Sequence, residues 1–162
     1  TIIITARERI KSKFSEKVEE YEEIYPTDWH LLVSQEPPVY AFVLAKDSFL
    51  LKIIERSRCF GVNFLAEDFD QKVILELGRR SGEYKNKFSE FELKKIEGSS
   101  VDCPLLKKSV VLECEAINFL EIGNQVLVCG QILKITGSDE EQGKRKKKRL
   151  LHFGGEQFTT IK

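Results

Sequence analysis

Residues 37–65 read PPVYAFVLAKDSFLLKIIERSRCFGVNFL, and the fold turns on how this stretch is parsed. Val39 to Ala45 is an apolar run of β-forming residues, short for a helix and well suited to a strand. Lys46, Asp47 and Ser48 interrupt it, after which Phe49, Leu50, Ile53 and Ile54 recur at helical spacing through Arg56. Cys59 to Leu65 then forms a second apolar strand. A strand, turn, helix, strand unit sets a helix N-terminus at a sheet edge. Free N–H groups and the positive end of the helix dipole collect there and suit an anion such as a phosphate. Lys46 adds a cation, and Ser48 adds a hydroxyl that either caps the helix or meets the anion. Taken alone, the same residues describe an ordinary capped helix.

Outward from this unit, Ile2 to Thr5 reads as a short strand. Ile10, Phe14, Val18 and Tyr21 recur among many Glu and Lys, which predicts an amphipathic surface helix over 9–24, a charged insertion spanning roughly 7–24. Trp29 to Ser34 is a strand stopped by Glu36-Pro37-Pro38. Asp68 to Arg80 is helical, with Phe69, Val73 and Leu77 on one face, and the polar stretch 81–95 sets no element. Ser109 to Asn118 alternates, Glu121 to Asn124 is a turn, and Val126 to Ile135 is apolar on both faces apart from Gly130, Gln131 and Lys134. Two-sided apolarity suggests a barrel wall that also meets a helix or another subunit. Residues 137–149 form a loop, followed by short strands at Leu150 to Phe153 and Phe158 to Ile161. The order is β-rich with inserted helices and predicts a small closed or split β-barrel, one domain over 1–162.

A chain of 162 residues buries enough surface to fold without a covalent staple. Lys and Arg total 26 and Asp and Glu total 26, so no net field selects nucleic acid or an anionic membrane. The longest apolar runs fall short of the ~18 residues of a spanning helix, so no membrane partner is expected. Cys59, Cys103, Cys114 and Cys129 show neither a C-x-x-C pair nor zinc spacing. Three of them lie in apolar runs, which predicts buried, reduced thiols and a cytoplasmic location.

The phosphate loop, the dinucleotide fingerprint and the nucleophile elbow are all absent, and His30 and His152 sit at no ligand spacing. Two features remain. Lys144 to Arg149 is an unbroken basic run that could bind nucleic acid on a small barrel. Asp139-Glu140-Glu141 lies just upstream and no aromatic is interleaved, so a solvated loop is the better reading and nucleic acid is not the expected partner. The second feature is Pro26-Thr27-Asp28-Trp29-His30, which suits a planar, polar-edged ligand or, more plainly, a core Trp with a capping Thr.

In combination these pieces say more. T-D-W-H-x-L-V-S-x-x-P-P-V-Y from Thr27, K-D-S-F-L-L-K-I-I from Lys46 and C-F-G-V-N-F-L from Cys59 resemble the flavin reductase-like, FMN-binding split-barrel family. Lys87-Phe88, Cys103-Pro104-Leu105, the strand Ser109 to Glu115 and its return Val126 to Ile135 fit the same pattern. Leu151-His152-Phe153-Gly154-Gly155 resembles the flavoredoxin-like branch. The resemblance implies FMN at a homodimer interface. It places Thr27, Asp28, Trp29 and His30 along the isoalloxazine and ribityl side, and Lys46, Ser48 and the helix N-terminus at the phosphate. It sets Gly61, Val62, Asn63 and Phe64 at the ring edge, with Lys87 and Phe88 as more distant contacts.

The activity implied is an FMN-binding oxidoreductase. It either reduces flavin with NADH or NADPH or passes electrons to a redox partner protein. Where reductases of the family commonly carry Gly-Asp-His at the hairpin turn, this chain has Gly123-Asn124-Gln125, which favours the electron carrier over direct NAD(P)H oxidation. The competing expectations are the nucleic-acid-binding barrel and a non-enzymatic interaction module of the same fold.

Overall fold

A computed structural model describes residues 1–11, 17–107, 109–137, 150–154 and 157–160. In chain order it contains β1 (Ile2–Lys11), β2 (Val18–Thr27), β3 (His30–Gln35), β4 (Pro38–Ala45), α1 (Phe49–Ser57) and β5 (Cys59–Phe64). These are followed by α2 (Gln71–Arg79), α3 (Lys87–Glu90), β6 (Lys95–Glu97), β7 (Pro104–Leu106), β8 (Val110–Ile122) and β9 (Gln125–Thr136). A hairpin of β10 (Leu150–Gly154) and β11 (Gln157–Thr160) ends the described chain. The main sheet is antiparallel with the order β2-β1-β5-β8-β9-β4-β3, and β6 pairs with β7 in a separate ribbon.

Connectivity forces this sheet to curl. Strands β2 and β3 are its opposite edges, yet only Asp28 and Trp29 lie between them. Laid flat, the edges of seven strands would stand about 29 Å apart, whereas the connection spans at most roughly 11 Å. The edges therefore approach one another at the Asp28–Trp29 end, where Val43 N of β4 donates to Trp29 O at 3.0 Å. No ladder joins β2 to β3, so of the closed and split forms the barrel is the split one, as the family resemblance implied.

Period-two alternation fills the interior. Ile2, Ile4, Tyr40, Phe42, Leu44, Phe60, Val62, Leu112, Cys114 and Val128 face inward and meet Leu50, Leu51, Ile53 and Ile54 of α1. Phe42 and Phe60 pack edge to face at 5.0 Å. A Cβ at Gly130 would lie 2.2 Å from Phe60 Cζ, so only glycine fits beneath that ring. A second cluster forms outside β1 and β2, where Ile3, Ile24 and Leu65 are covered by Ile74 and Leu77 of α2 and by Phe88.

The helix expected over 9–24 is instead part of a β ribbon. β1 runs on to Lys11 and pairs with β2 in a register that sets Arg7 opposite Glu22 and Arg9 opposite Glu20. Opposite charges directly across two strands stabilise the pairing, and Arg7, 3 % exposed, reaches Glu22 Oε1 at 2.6 Å. The helical spacing of Ile10, Val18 and Tyr21 was coincidental, while Phe14 lies outside the described residues. Strand β8 continues to Ile122, beyond the predicted end at Asn118. The stretch 81–95, in which the sequence set no element, supplies α3, and β6 and β7 follow it. The basic run 144–149 and its acidic neighbours 139–141 also lie outside the described residues. No described helix is long and apolar enough to cross a membrane.

Candidate functional site

Two adjoining hollows lie where the sheet edges converge. The first, about 400 Å³, is walled by Thr27, Asp28 and Trp29 on one side, Val43 to Ala45 of β4 on another and Ile74, Leu75 and Gly78 of α2 on a third. Gln125, at the start of β9, also lines it. The second, about 270 Å³, lies beside the N-terminus of α1 and is lined by Ser48, Arg79, Arg80, Ser81, Lys87 and Glu23 among others. Both share Tyr25, Ala45 and Gly78, so they form one trough with an apolar half and a charged half.

In the apolar half the Asp28–Trp29 connection is fixed by short polar contacts. Thr27 Oγ1 accepts from Trp29 N at 3.2 Å, and Asp28 Oδ1 accepts from Thr1 Oγ1 at 2.5 Å. These hold Trp29 at the rim with 63 % of its surface exposed, an unusual exposure for the largest aromatic side chain. In the charged half, Ser48 is the N-cap residue of α1 but its side chain makes no capping bond, leaving the hydroxyl and the helix N-terminus facing the hollow. Arg79 and Arg80 bracket Glu76 at 3.2 and 2.8 Å, and Arg80 also pairs with Glu90. Hydrogen bonds from Arg80 and then Arg79 hold the Glu76 carboxyl below its ordinary range. Among the described residues no group of His, Cys, Asp or Glu is placed to hold a metal ion.

A planar polar-edged ligand with an anionic tail matches this arrangement, and the family comparison gives it context. The model of the flavin reductase-like domain matches residues 2–161. This chain belongs to the flavin reductase-like family. A protein of Archaeoglobus fulgidus is 26% identical over 142 residues, covering 85% of this chain and 80% of its own. Among solved structures, flavoredoxin of Desulfovibrio vulgaris superposes with a TM-score of 0.79 at 16% identity, covering 99% of this chain and 85% of that one. An FMN-binding protein from Thermus thermophilus does so at 0.78 and 18%, covering 98% and 83%. Flavoredoxin from Methanosarcina acetivorans gives 0.71 and 21%, covering 99% and 83%. At such identities the structural likeness is one of fold. Flavin-linked redox function is the class that membership in the family supports.

Of the residues that the resemblance singled out, this flavin reductase-like chain gathers Thr27, Asp28, Trp29, Ser48 and Lys87 in the trough. The others lie elsewhere. His30 Nδ1 is 2.7 Å from the Tyr40 hydroxyl, with the two rings stacked. Lys46 turns to Glu121 Oε2 at 2.5 Å, while its backbone N donates to Asn124 O, which ties it to the β8–β9 turn. Gly61, Val62 and Asn63 are buried in β5, and Phe64 packs edge to face on Tyr40 at 6.0 Å. Phe88 belongs to the core outside β1 and β2.

Tyr25, Gly78, Arg79, Arg80 and Gln125 line the trough without having been singled out as ligands. A basic pair at the end of a helix reads in one dimension as dipole compensation. Only the packing of α2 against β2 brings Arg79 and Arg80 to the same hollow as the N-terminus of α1.

Proposed function

We propose that the trough binds FMN and that the protein moves electrons through it as a flavoprotein carrier. The observation that carries this reading is the joining, in one trough, of a Trp-flanked apolar half with a half bearing the α1 N-terminus and two arginines. The larger hollow falls in the size range of small-molecule sites. An isoalloxazine needs an apolar slot with a few polar groups at its edge, which Val43, Leu44, Trp29, Thr27 and Gln125 offer. A phosphate monoester needs N–H donors and positive charge, which Ser48, Arg79 and Arg80 offer. Bound FMN would supply the hydride and electron chemistry, while the chain binds the flavin, orients it and excludes water.

Gln125 lines the apolar half and puts a neutral amide at the hairpin position where reductases of the family commonly carry an imidazole. This favours electron exchange with a redox partner protein over rapid oxidation of NADH or NADPH. Titration with FMN is expected to give a yellow complex and to quench Trp29 fluorescence. A protein that stays colourless after reconstitution overturns the reading. Stopped-flow mixing of the FMN complex with NADH or NADPH should show slow reduction compared with dithionite, and fast reduction by either nucleotide removes the carrier assignment.

The outer face of the sheet supports a homodimer as part of the same proposal. Cα partners share a face, so Leu31 and Cys129 lie in one outward row on either side of the buried Ala41, and Val43, Leu127 and Leu120 form the next. Leu31 and Leu120 are each 53 % exposed, and the face continues into the trough through Val43, Ala45 and Gln125. A second copy seated there would cover the trough as well as the apolar rows.

A further inference from the structure

The charged half of the trough already holds an anion. Glu23 of β2 and Lys87 meet at 2.7 Å with 2% and 1% of their side chains exposed. The Glu23 carboxylate also accepts from Gly82 N at 2.6 Å and from Ile24 N at 2.9 Å. An ammonium and two backbone N–H groups converging on one carboxylate form a donor set that would equally suit a phosphate oxygen. Lys87 gives its remaining protons to Leu77 O at 3.0 Å and Ile24 O at 3.1 Å. An ammonium has three protons, so Lys87 is saturated although it lines the hollow.

We propose that Glu23 sets the phosphate preference of this site. Its carboxylate neutralises Lys87 from within the protein and repels a second anion, so a flavin phosphate is held by Ser48, Arg79 and Arg80 and not by Lys87. Glu23 is thus a positioning residue that acts through Lys87, and it narrows the difference in affinity between FMN and riboflavin. The inference rests on the flavin reading of the trough and names which of its cations recognise the phosphate.

The test compares dissociation constants for FMN and riboflavin by Trp29 fluorescence, using the ratio of the two as the readout. A merely structural defect weakens both flavins together and leaves that ratio where it was. Glu23→Gln should raise the preference for FMN on the order of tenfold, because the Lys87 charge is no longer neutralised by a carboxylate and a repulsion of the phosphate disappears. An unchanged or smaller preference overturns the proposal. Should Glu23→Gln fail to fold, Glu23→Gln with Lys87→Met removes both buried charges together, which such sites tolerate better than losing one partner. The double variant should keep the parental ratio, and a ratio below it would mean that Lys87 contacts the phosphate in the parent, overturning the proposal. A parent that binds neither flavin overturns the flavin reading and this inference together. Normal flavin binding with an unaltered ratio in Glu23→Gln overturns this inference alone.

Discussion

Asn63 shows how one side chain can carry a share of the architecture. It is fully buried in β5, and its Nδ2 donates to Ile3 O at 3.0 Å and Thr5 Oγ1 at 3.1 Å, while its Oδ1 accepts from Leu106 N at 2.8 Å. One amide therefore ties β5 to β1 on one side and to β7 on the other. Asn63→Leu keeps the branched shape but strands the Leu106 N–H and removes the bond to the Ile3 carbonyl in a dry interior. Each buried polar group left unsatisfied costs about 1–3 kcal/mol, so with two such groups the variant should lose about 2–6 kcal/mol. The expected readout is a lower urea midpoint with an unchanged slope, and a midpoint equal to the parent's would show that the amide is not the clamp. In the sequence Asn63 stood in C-F-G-V-N-F-L as a candidate ring-edge contact. Nothing in one dimension says that Thr5 and Leu106 flank it, so its structural work was illegible there.

At the scale of elements, legibility followed locality. β4, α1 and β5 were read correctly because each shows its own period within a dozen residues. The β1–β2 ribbon was misread because its signal lies across strands: Arg7 and Glu22 mean little until the register sets them side by side.

That register has an acid-dependent consequence. Burial opposes the charge on Glu22, but hydrogen bonds from Lys95, Arg7 and Asn86 outweigh it and hold the carboxyl below its ordinary value of 4.5. Arg7 likewise holds Glu97 low. A carboxyl depressed in the folded state is protonated first in the unfolded chain. Its contribution is therefore complete above the unfolded value and is lost as pH falls through the folded one. Stability should thus decline progressively as pH falls below the ordinary carboxyl value of 4.5. Glu22→Gln should be less stable at pH 7 and should show a shallower acid limb, because one of the groups that link folding to pH is gone. Arg7 keeps Glu97 and Asp102 as partners in that variant, so the fold is expected to survive. Urea midpoints measured across this range decide it, and parallel acid limbs for variant and parent would contradict the assignment.

For the whole molecule, the curl of the sheet explains both what the sequence revealed and what it hid. A β-rich order with inserted helices was enough to expect a small barrel, and the family resemblance to expect a split one. The trough was not legible as a unit, because Trp29, Gly78 and Gln125 meet only after two distant edges converge. The same convergence leaves β3 as an edge strand with Leu31, Leu32 and Val33 exposed in succession. Side chains alternate between faces along a strand, so three consecutive exposed residues mean that neither face of β3 is covered. Soluble monomers usually protect such edges with charge, proline or bulges. Here the irregularity between Leu32 and Ser34 and the prolines after Gln35 sit at one end only. Ile122, at 57 % exposure, extends the uncovered apolar surface onto the β8–β9 ribbon. Covering this face with a second copy removes apolar area from water at about 25 cal/mol per Å² and hides the edge at the same time. Light scattering on the purified protein should therefore give twice 18.7 kDa at micromolar concentration. Leu31→Glu with Leu120→Lys, placed on the outward rows away from the trough lining, should shift the mass to the monomer while leaving the helical and sheet signals unchanged. If that monomer also binds flavin less tightly, the partner copy forms part of the pocket; a parent already monomeric at micromolar concentration would remove the dimer from the reading.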